Sequence, residues 1–406
     1  MADARRYEIV ETLGRGGFGT VYRAKLVGDG GFAKQVALKV LNPDVAATGE
    51  FAARMRDEAR ILGLIRHRAV VQVDGLVQLN GRWTVVMEYI QGLDLSQLSR
   101  VGALPPGPAC EIAAEVAAAL HTAYATQGPD GRPLRLIHRD IKPANIQVTA
   151  QGEVKLLDFG VARAEFDGRE AETKSVRFGS IGYMAPERLD GGAEEPPSDV
   201  YAVGVVLFEL LAGAPYGQTF TNEKRQNAAV TERVGGLASR LGAAGAGIGR
   251  LLSEMLAYEP AKRPSARDVE RRCAELRGGT SLRDWAEAAV PPLLTGRKPT
   301  RDGLTGVVLT EGLAALPALE AADKAAAAAP KSATRWERSG ATPPPAAAKS
   351  ASGALPTAPK PVTAASGKAG FGTGAVVVGG GVMLALVAGV VVVGLIGVVV
   401  VALALQ

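Results

Sequence analysis

The chain has 406 residues, of which 47% are hydrophobic, 21% charged and 5% aromatic, the composition of a globular protein with room for two or three domain-sized units. Two cysteines, Cys110 and Cys273, exclude a disulfide framework or a Cys-rich zinc site, and three histidines, His67, His121 and His138, leave little material for a multi-His metal centre. The net charge of +5 lies entirely in the tail, because residues 1–276 hold 34 basic and 34 acidic side chains. A basic nucleic-acid face on the main domain is therefore not expected, nor is a nucleic-acid partner.

Along the chain, Tyr7–Leu13 alternates like a strand and runs into a glycine cluster, and Thr20–Lys25 reads as the strand that leaves it. Val36–Leu41 and Trp83–Ile90 are further β-branched runs, with a helix expected over Glu50–Leu64 between them. From Pro108 the pattern turns helical. Ala109–Thr126 is an Ala-rich helix candidate, and Val200–Leu211 and Ile248–Leu256 read as buried helices. Gly128–Arg135 reads as a surface turn. A strand-rich front and a helical back predict an α+β architecture of two lobes.

After residue 276 the composition changes. Ser281–Ala289 reads as a short amphipathic helix ended by Pro291 and Pro292, within an extension over 277–329. Residues 330–372 are mostly Ala, Pro, Ser, Gly and Lys, too poor in large apolar groups to offset their ordering entropy, and are expected to be a flexible linker. Ala369–Gln406 carries no charge, and residues 375–405 hold an apolar run long enough for a bilayer-spanning helix, which needs about 20 residues. A buried core helix is the alternative, although the adjoining linker offers it no core. Seven basic residues against one acid between Lys324 and Lys368 place that side in the cytoplasm. The polar start, Met1–Tyr7, predicts no signal peptide. The expectation is a single-pass inner-membrane protein with its folded domain in the cytosol. Gly381, Ala385, Gly389 and Gly397 share one face of the span and suggest a homodimer contact, unless they only reflect a chain rich in Gly and Ala.

Gly14-Arg15-Gly16-Gly17-Phe18-Gly19-Thr20-Val21 fits G-x-G-x-x-G-x-V, which a dinucleotide-binding turn also contains. A strand rather than a helix follows, so a flap whose backbone N–H groups cover phosphates fits better. Lys39 sits in the apolar strand Val36–Leu41 and needs an anionic partner there, and Glu58 on the next helix candidate could supply it. By itself Lys39 could equally be a snorkelling strand lysine. His138-Arg139-Asp140-Ile141-Lys142-Pro143-Ala144-Asn145, then Asp158-Phe159-Gly160 after an apolar strand, then Ala185-Pro186-Glu187, recur in one order and spacing that coincidence does not explain.

With these motifs residues 7–276 resemble the eukaryotic-like (Hanks-type) Ser/Thr protein kinases of bacteria. The resemblance implies a bilobal kinase fold, ATP and Mg²⁺ (or Mn²⁺) as cofactors, and protein substrates. It places Leu13, Val21 and Ala37 around the adenine and Gly14, Gly16 and Gly19 over the phosphates. Met87 resembles the gatekeeper, and the backbone at Glu88 and Ile90 would bind the adenine edge. Lys39, paired with Glu58, would hold the α- and β-phosphates. Asp140 would accept or orient the hydroxyl proton, Lys142 would contact the γ-phosphate, and Asn145 and Asp158 would hold the metal ions. His138 resembles the histidine that fixes the catalytic loop, Asp199 the aspartate that braces it, and Glu187 the partner of a helical-lobe arginine, here Arg263.

One departure is Gly179-Ser180 where the family usually has Gly-Thr; Ser180 keeps the hydroxyl that would bond to Asp140 and Lys142. Arg139, just before Asp140, is expected to pair with a phosphorylated activation-segment residue, with Thr173 and Ser175 as the candidates and loop polarity as the plain alternative. A pseudokinase scaffold and a small-molecule phosphotransferase are the rival functions. The complete set Lys39, Glu58, Asp140, Asn145 and Asp158 disfavours the first, and the Ala185–Glu187 segment the second.

Overall fold

The computed structural model describes residues 4–16, 19–28, 31, 33–42, 60–159, 181–193 and 195–312. Glu58, Thr173, Ser175 and Ser180, the linker and the apolar run at 375–405 lie outside them. Among the described residues no helix is long and apolar enough to cross a membrane.

Two lobes meet at residues 89–91. The first is built on an antiparallel sheet in the order β4-β5-β3-β2-β1-β9, from β1 (Arg6–Gly16), β2 (Gly19–Val27), β3 (Ala33–Leu41), β4 (Val73–Leu79), β5 (Arg82–Glu88) and β9 (Val308–Thr310). Strand alternation gives the sheet two apolar faces. Val36, Leu38 and Val40 of β3 point outward, onto Tyr7, Ile9, Tyr22 and Val86. Ala37 and Leu41 point the other way, toward Val73, Val85 and Met87, and the same parity puts Lys39 on this cleft face. In β1 the register with β2 shifts between Ile9 and Glu11, so Ile9 packs outward while Leu13 joins the cleft cluster. One extra residue in a strand inverts its alternation.

The second lobe is helical: α1 (Pro106–Ala125), α2 (Pro196–Ala212), α3 (Glu223–Arg240), α4 (Gly245–Met255), α5 (Ala266–Leu276) and α6 (Leu282–Thr295). In α2, 13 of 17 residues are buried, so it is wrapped on all sides rather than amphipathic, and its Gly204 lets Met255 and Leu256 approach. Side-chain caps start three of the others: Asn222 accepts the Arg225 N–H, Ser265 that of Asp268 and Ser281 that of Asp284. A small sheet, β6 (Gly92–Asp94), β7 (Ile146–Thr149) and β8 (Val154–Leu156), lies where the lobes face each other.

Two features of the extension depart from the sequence reading. Helix α6 runs through Pro291 and Pro292 to Thr295 instead of stopping before them. Leu282, Ala286 and Val290 are buried along one stripe, whereas both prolines and the Glu287 and Ala288 they follow are exposed, so water can take the carbonyls that lose an N–H partner. Beyond α6 the chain returns to the first lobe, where β9 adds a sixth strand and pairs Arg6–Glu8 with Val308–Thr310. Leu304 and Leu309 are 1% and 0% exposed there, each contributing about 2 kcal/mol of burial.

Candidate active site

The catalytic loop lies between α1 and β7, and its backbone is fixed from below by Asp199 in the first turn of α2. Asp199 Oδ2 accepts the His138 N–H at 2.7 Å and Oδ1 the Arg139 N–H at 2.9 Å. Burial pushes the Asp199 carboxyl above its ordinary pKa, opposed by the two backbone N–H bonds it accepts. His138 has no exposed surface and makes two further bonds. Its Nε2 lies 2.9 Å from the Leu157 carbonyl, which can only accept, and its Nδ1 lies 3.3 Å from the Asp140 N–H, which can only donate. Both are satisfied by the neutral Nε2–H tautomer alone. Burial lowers the His138 pKa, which favours that neutral form. The Phe159 ring packs against it at 4.6 Å.

With the loop held, Asp140, Lys142 and Asn145 converge. Lys142 Nζ donates to Asp140 Oδ2 at 2.7 Å, and Asn145 Nδ2 donates to the same oxygen at 3.0 Å and to the Asp140 carbonyl at 2.8 Å. Asp158 follows β8, and Lys39 reaches it from the other lobe at 2.7 Å. Burial among dense protein atoms raises the Asp158 pKa, but the charge and hydrogen bond of Lys39 outweigh this and hold it below the ordinary carboxylate value. Half of its side-chain surface still faces the cleft. Arg139 and Asp158 have φ of 69° and 48°, left-handed conformations that cost on the order of 1–3 kcal/mol each and that cluster at functional sites.

Above this floor, Ala37 and Met87 with partly buried Leu13 and Val21 form one apolar cluster, which also takes in Leu157 from below. Leu157 carries no motif, and only its place before Asp158 could have flagged it. Glu88 ends β5, and its carboxylate accepts Lys155 Nζ at 2.7 Å and the Gln72 N–H at 2.7 Å, which pins the inter-lobe segment; half-buried Ile90 follows. No pattern along the chain signals that pair. Gly14, Gly16 and Gly19 lie on the β1–β2 hairpin. A methyl group on Gly19 would stand 2.2 Å from the Val40 carbonyl, so the fold itself demands glycine there. Gly14 has open space above it and Gly16 meets only the Gly19 carbonyl at 3.9 Å.

Behind the site, Glu187 and Arg263 form a two-pronged pair at 2.7 and 2.8 Å. Asn145 and Asp158 offer hard oxygens, and the two Asn145 Nδ2 bonds leave its Oδ1 to act as a ligand. Among the described residues no three His, Cys, Asp or Glu side chains group around a metal position. One carboxylate and one amide oxygen nevertheless fit Mg²⁺, which completes its shell with phosphate oxygens and water.

A β-rich lobe over a helical one, with two lysines, two carboxylates and an asparagine lining the cleft, defines a bilobal protein-kinase fold. Residues 7–272 match the protein kinase domain, and the chain belongs to that family, which uses ATP and Mg²⁺. It is 35% identical over 210 residues to the tyrosine-protein kinase MasK of Myxococcus xanthus, covering 50% of this chain and 32% of that protein. To the serine/threonine-protein kinase PrkC of Bacillus subtilis it is 36% identical over 209 residues, covering 51% and 30%. The chain thus spans about a third of the length of these curated relatives. The PknI kinase domain of Mycobacterium tuberculosis aligns with a TM-score of 0.48 and 29% identity, over 66% of this chain and 96% of that one.

Proposed function

We propose that this chain transfers the γ-phosphoryl group of ATP to Ser or Thr hydroxyls of proteins. The observation that carries the reading is the Lys39–Asp158 contact across the cleft, set over the Asp140–Lys142–Asn145 cluster. Phosphoryl transfer is driven mainly by positioning and charge neutralisation, and this cleft is equipped for both. Leu13, Val21, Ala37, Met87 and Leu157 enclose the adenine, with the backbone at Glu88 and Ile90 on its edge. Gly14 and Gly16 leave open space that the protein does not need, which is what close approach to phosphates requires. Lys39, with Glu58, holds the α- and β-phosphates. Asn145 and Asp158 hold Mg²⁺, which when bound neutralises charge developing on the phosphates. Asp140 takes the hydroxyl proton as the substrate oxygen bonds to the γ-phosphorus, and the bond to the bridging oxygen breaks to release ADP. Lys142 fixes the Asp140 carboxylate and then follows the transferred group. A lysine two residues after the catalytic aspartate favours Ser/Thr over Tyr as acceptor.

The same reading has the kinase at the inner face of a membrane, anchored through 375–405, with Thr173 and Ser175 as autophosphorylation sites whose phosphate Arg139 would pair with, and with self-association through the Gly/Ala face of the span or the kinase domain. It is supported by the uncharged run and the basic residues before it.

The test is incorporation of label from [γ-³²P]ATP with Mg²⁺ into a generic acceptor protein by the full chain, with Lys39→Met and Asp158→Ala beside it and phosphosites mapped afterwards. Label on Ser or Thr that both substitutions abolish is the expected result. Nucleotide binding without transfer would replace the reading with that of a scaffold.

A further inference from the structure

The family match ends at residue 272, yet the structure carries the chain on through a strap that crosses from the helical lobe to the glycine hairpin. At its start the strap is built into the second lobe. A methyl group on Gly107 would meet the Thr280 carbonyl at 2.3 Å, one on Gly152 the Arg283 backbone at 2.8 Å, and Glu111 accepts the Leu282 N–H at 3.1 Å. At its end β9 pairs with β1, while Asn80 exchanges two bonds with Thr310, its N–H donating at 3.0 Å and its Oδ1 accepting at 2.7 Å. Between these ends the strap meets β1 at its weakest stretch. Register shifts between Ile9 and Glu11 and between Thr12 and Gly14 disturb the ladder with β2. There the Ile9 N–H donates to Val307, the Gly306 N–H to Ile9 and the Thr12 N–H to Thr300, at 2.8–2.9 Å.

Asp302 stands at the centre of this contact and is only 9% exposed. Its Oδ2 accepts three side-chain bonds: Thr12 Oγ1 at 3.0 Å, Arg15 Nη2 at 3.0 Å and Tyr22 OH at 3.2 Å. Its Oδ1 accepts the Leu304 N–H at 3.0 Å, which orients the carboxylate. Thr12 and Tyr22 are register partners on the two stems of the hairpin, and Arg15 pairs with Thr20 one step from the end of the ladder. Leu304 and Leu309 fill the outer core with Tyr7, Ile9 and Tyr22. Core filling therefore accounts for the two leucines and leaves the three bonds of the carboxylate unexplained.

We propose that Asp302 is a positioning residue for phosphoryl transfer: it grips both stems of the phosphate-covering hairpin, at Thr12, Arg15 and Tyr22, so that a segment outside the matched domain sets the affinity for ATP. The inference rests on the kinase reading above. By holding Thr12, Arg15 and Tyr22 at once, Asp302 removes hairpin freedom that ATP would otherwise have to restrict on binding.

The experiment compares the full chain with Asp302→Asn, Asp302→Glu, Arg15→Gln and Leu304→Ala. It reads ATP KM, kcat, Mg²⁺–ADP affinity by titration, thermal midpoint, and amide exchange over Thr12–Tyr22. Asp302→Asn is expected to raise ATP KM about fivefold or more, to keep kcat within about twofold, and to speed exchange in the hairpin, with Arg15→Gln acting in the same direction and Asp302→Glu recovering part of the loss. Leu304→Ala is expected to lower the thermal midpoint with a smaller effect on KM. A folded Asp302→Asn variant with wild-type KM and hairpin exchange overturns the proposal. So does a KM change that Leu304→Ala reproduces in proportion to the fall in midpoint, since that describes core loss alone. If the wild-type chain binds nucleotide without transferring phosphate, the kinase reading fails while ADP affinity still decides the role of Asp302. A wild-type chain that binds no nucleotide refutes both.

Discussion

Arg263→Ala is expected to be among the most damaging single substitutions in the helical lobe. The Arg263 side chain has no exposed surface, and all five of its N–H groups are used: Nε on the Ala257 carbonyl, Nη1 on Glu187 and Pro197, Nη2 on Glu187 and Tyr258, at 2.7–3.0 Å. Its guanidinium also stacks 5.1 Å from the centre of the Tyr201 ring. Removing it strands a half-buried carboxylate and three backbone carbonyls. Breaking a buried pair in this way costs about 3–5 kcal/mol, and for a domain of this size that is on the order of 10 °C in Tm. The sign in acid can be worked out as well. Burial raises the Glu187 pKa, but the hydrogen bond and charge of Arg263 outweigh this and hold it below its ordinary 4.5. The pair therefore contributes fully above pH 4.5 and is lost as pH falls through the lower folded-state value, a loss that Arg263→Ala should abolish. Urea denaturation of the wild type, Arg263→Ala, Glu187→Gln and the double variant measures this. The double variant should cost less than the sum of the singles by about 1 kcal/mol or more. An Arg263→Ala loss under about 1 kcal/mol, or strict additivity, would refute the reasoning.

His138 predicts a second pH dependence. Burial lowers its pKa from the ordinary 6.5, so the unfolded chain binds the proton more readily, and the contribution of this group to stability falls as pH drops below 6.5. The slope approaches about 1.4 kcal/mol per pH unit for one proton; His67, also lowered by burial, adds in the same direction. His138→Gln should flatten, without abolishing, the fall of the urea midpoint between pH 6.5 and roughly 5, and an unchanged slope would count against the buried neutral imidazole. The glycines separate by a different logic. Gly19→Ala drives a methyl group into the Val40 carbonyl and should cost about 1–3 kcal/mol, whereas Gly14→Ala meets nothing and should stay within about 0.5 kcal/mol while weakening ATP binding. Equal stability losses at the two positions would contradict the contacts around Gly19.

What the sequence makes legible here follows from how far each signal reaches along the chain. The two-lobed architecture is carried by local periodicity, and Val36–Leu41 announces both its strand and the face of Lys39, because parity is a property of neighbouring residues. Asp140 and Asn145 are similarly close in sequence, and Asp158 follows them across a short hairpin. By contrast, the Lys155–Glu88 pair joins residues 67 apart, and neither sits in a pattern that demands the other. The end of α6 departs from the local signal for a related reason. Pro291 and Pro292 forbid helix hydrogen bonds locally, but the burial of Leu282, Ala286 and Val290 against the helical lobe decides the outcome.

The strap marks where sequence reasoning reaches its limit. Residues 297–312 contain only a three-residue strand, too short for alternation to announce it, and Asp302 in Arg301-Asp302-Gly303 looks like an ordinary turn residue. Its partners Thr12, Arg15 and Tyr22 lie 280–290 residues away. A charge at a turn is normally solvated, so the informative fact is that this carboxylate is nine-tenths shielded beneath three donors, and such shielding is a property of the tertiary fold alone. The same fact bears on where the kinase ends. A boundary drawn at residue 276 keeps every motif residue, yet it exposes Tyr7, Ile9 and Tyr22 by removing Leu304 and Leu309 from over them. At about 2 kcal/mol for each leucine, such a truncated chain should be less stable than one ending after Gly312 by several kcal/mol. Equal urea midpoints for chains ending at 296 and 312, which both keep α6, would show that β9 lies on a lobe already complete without it.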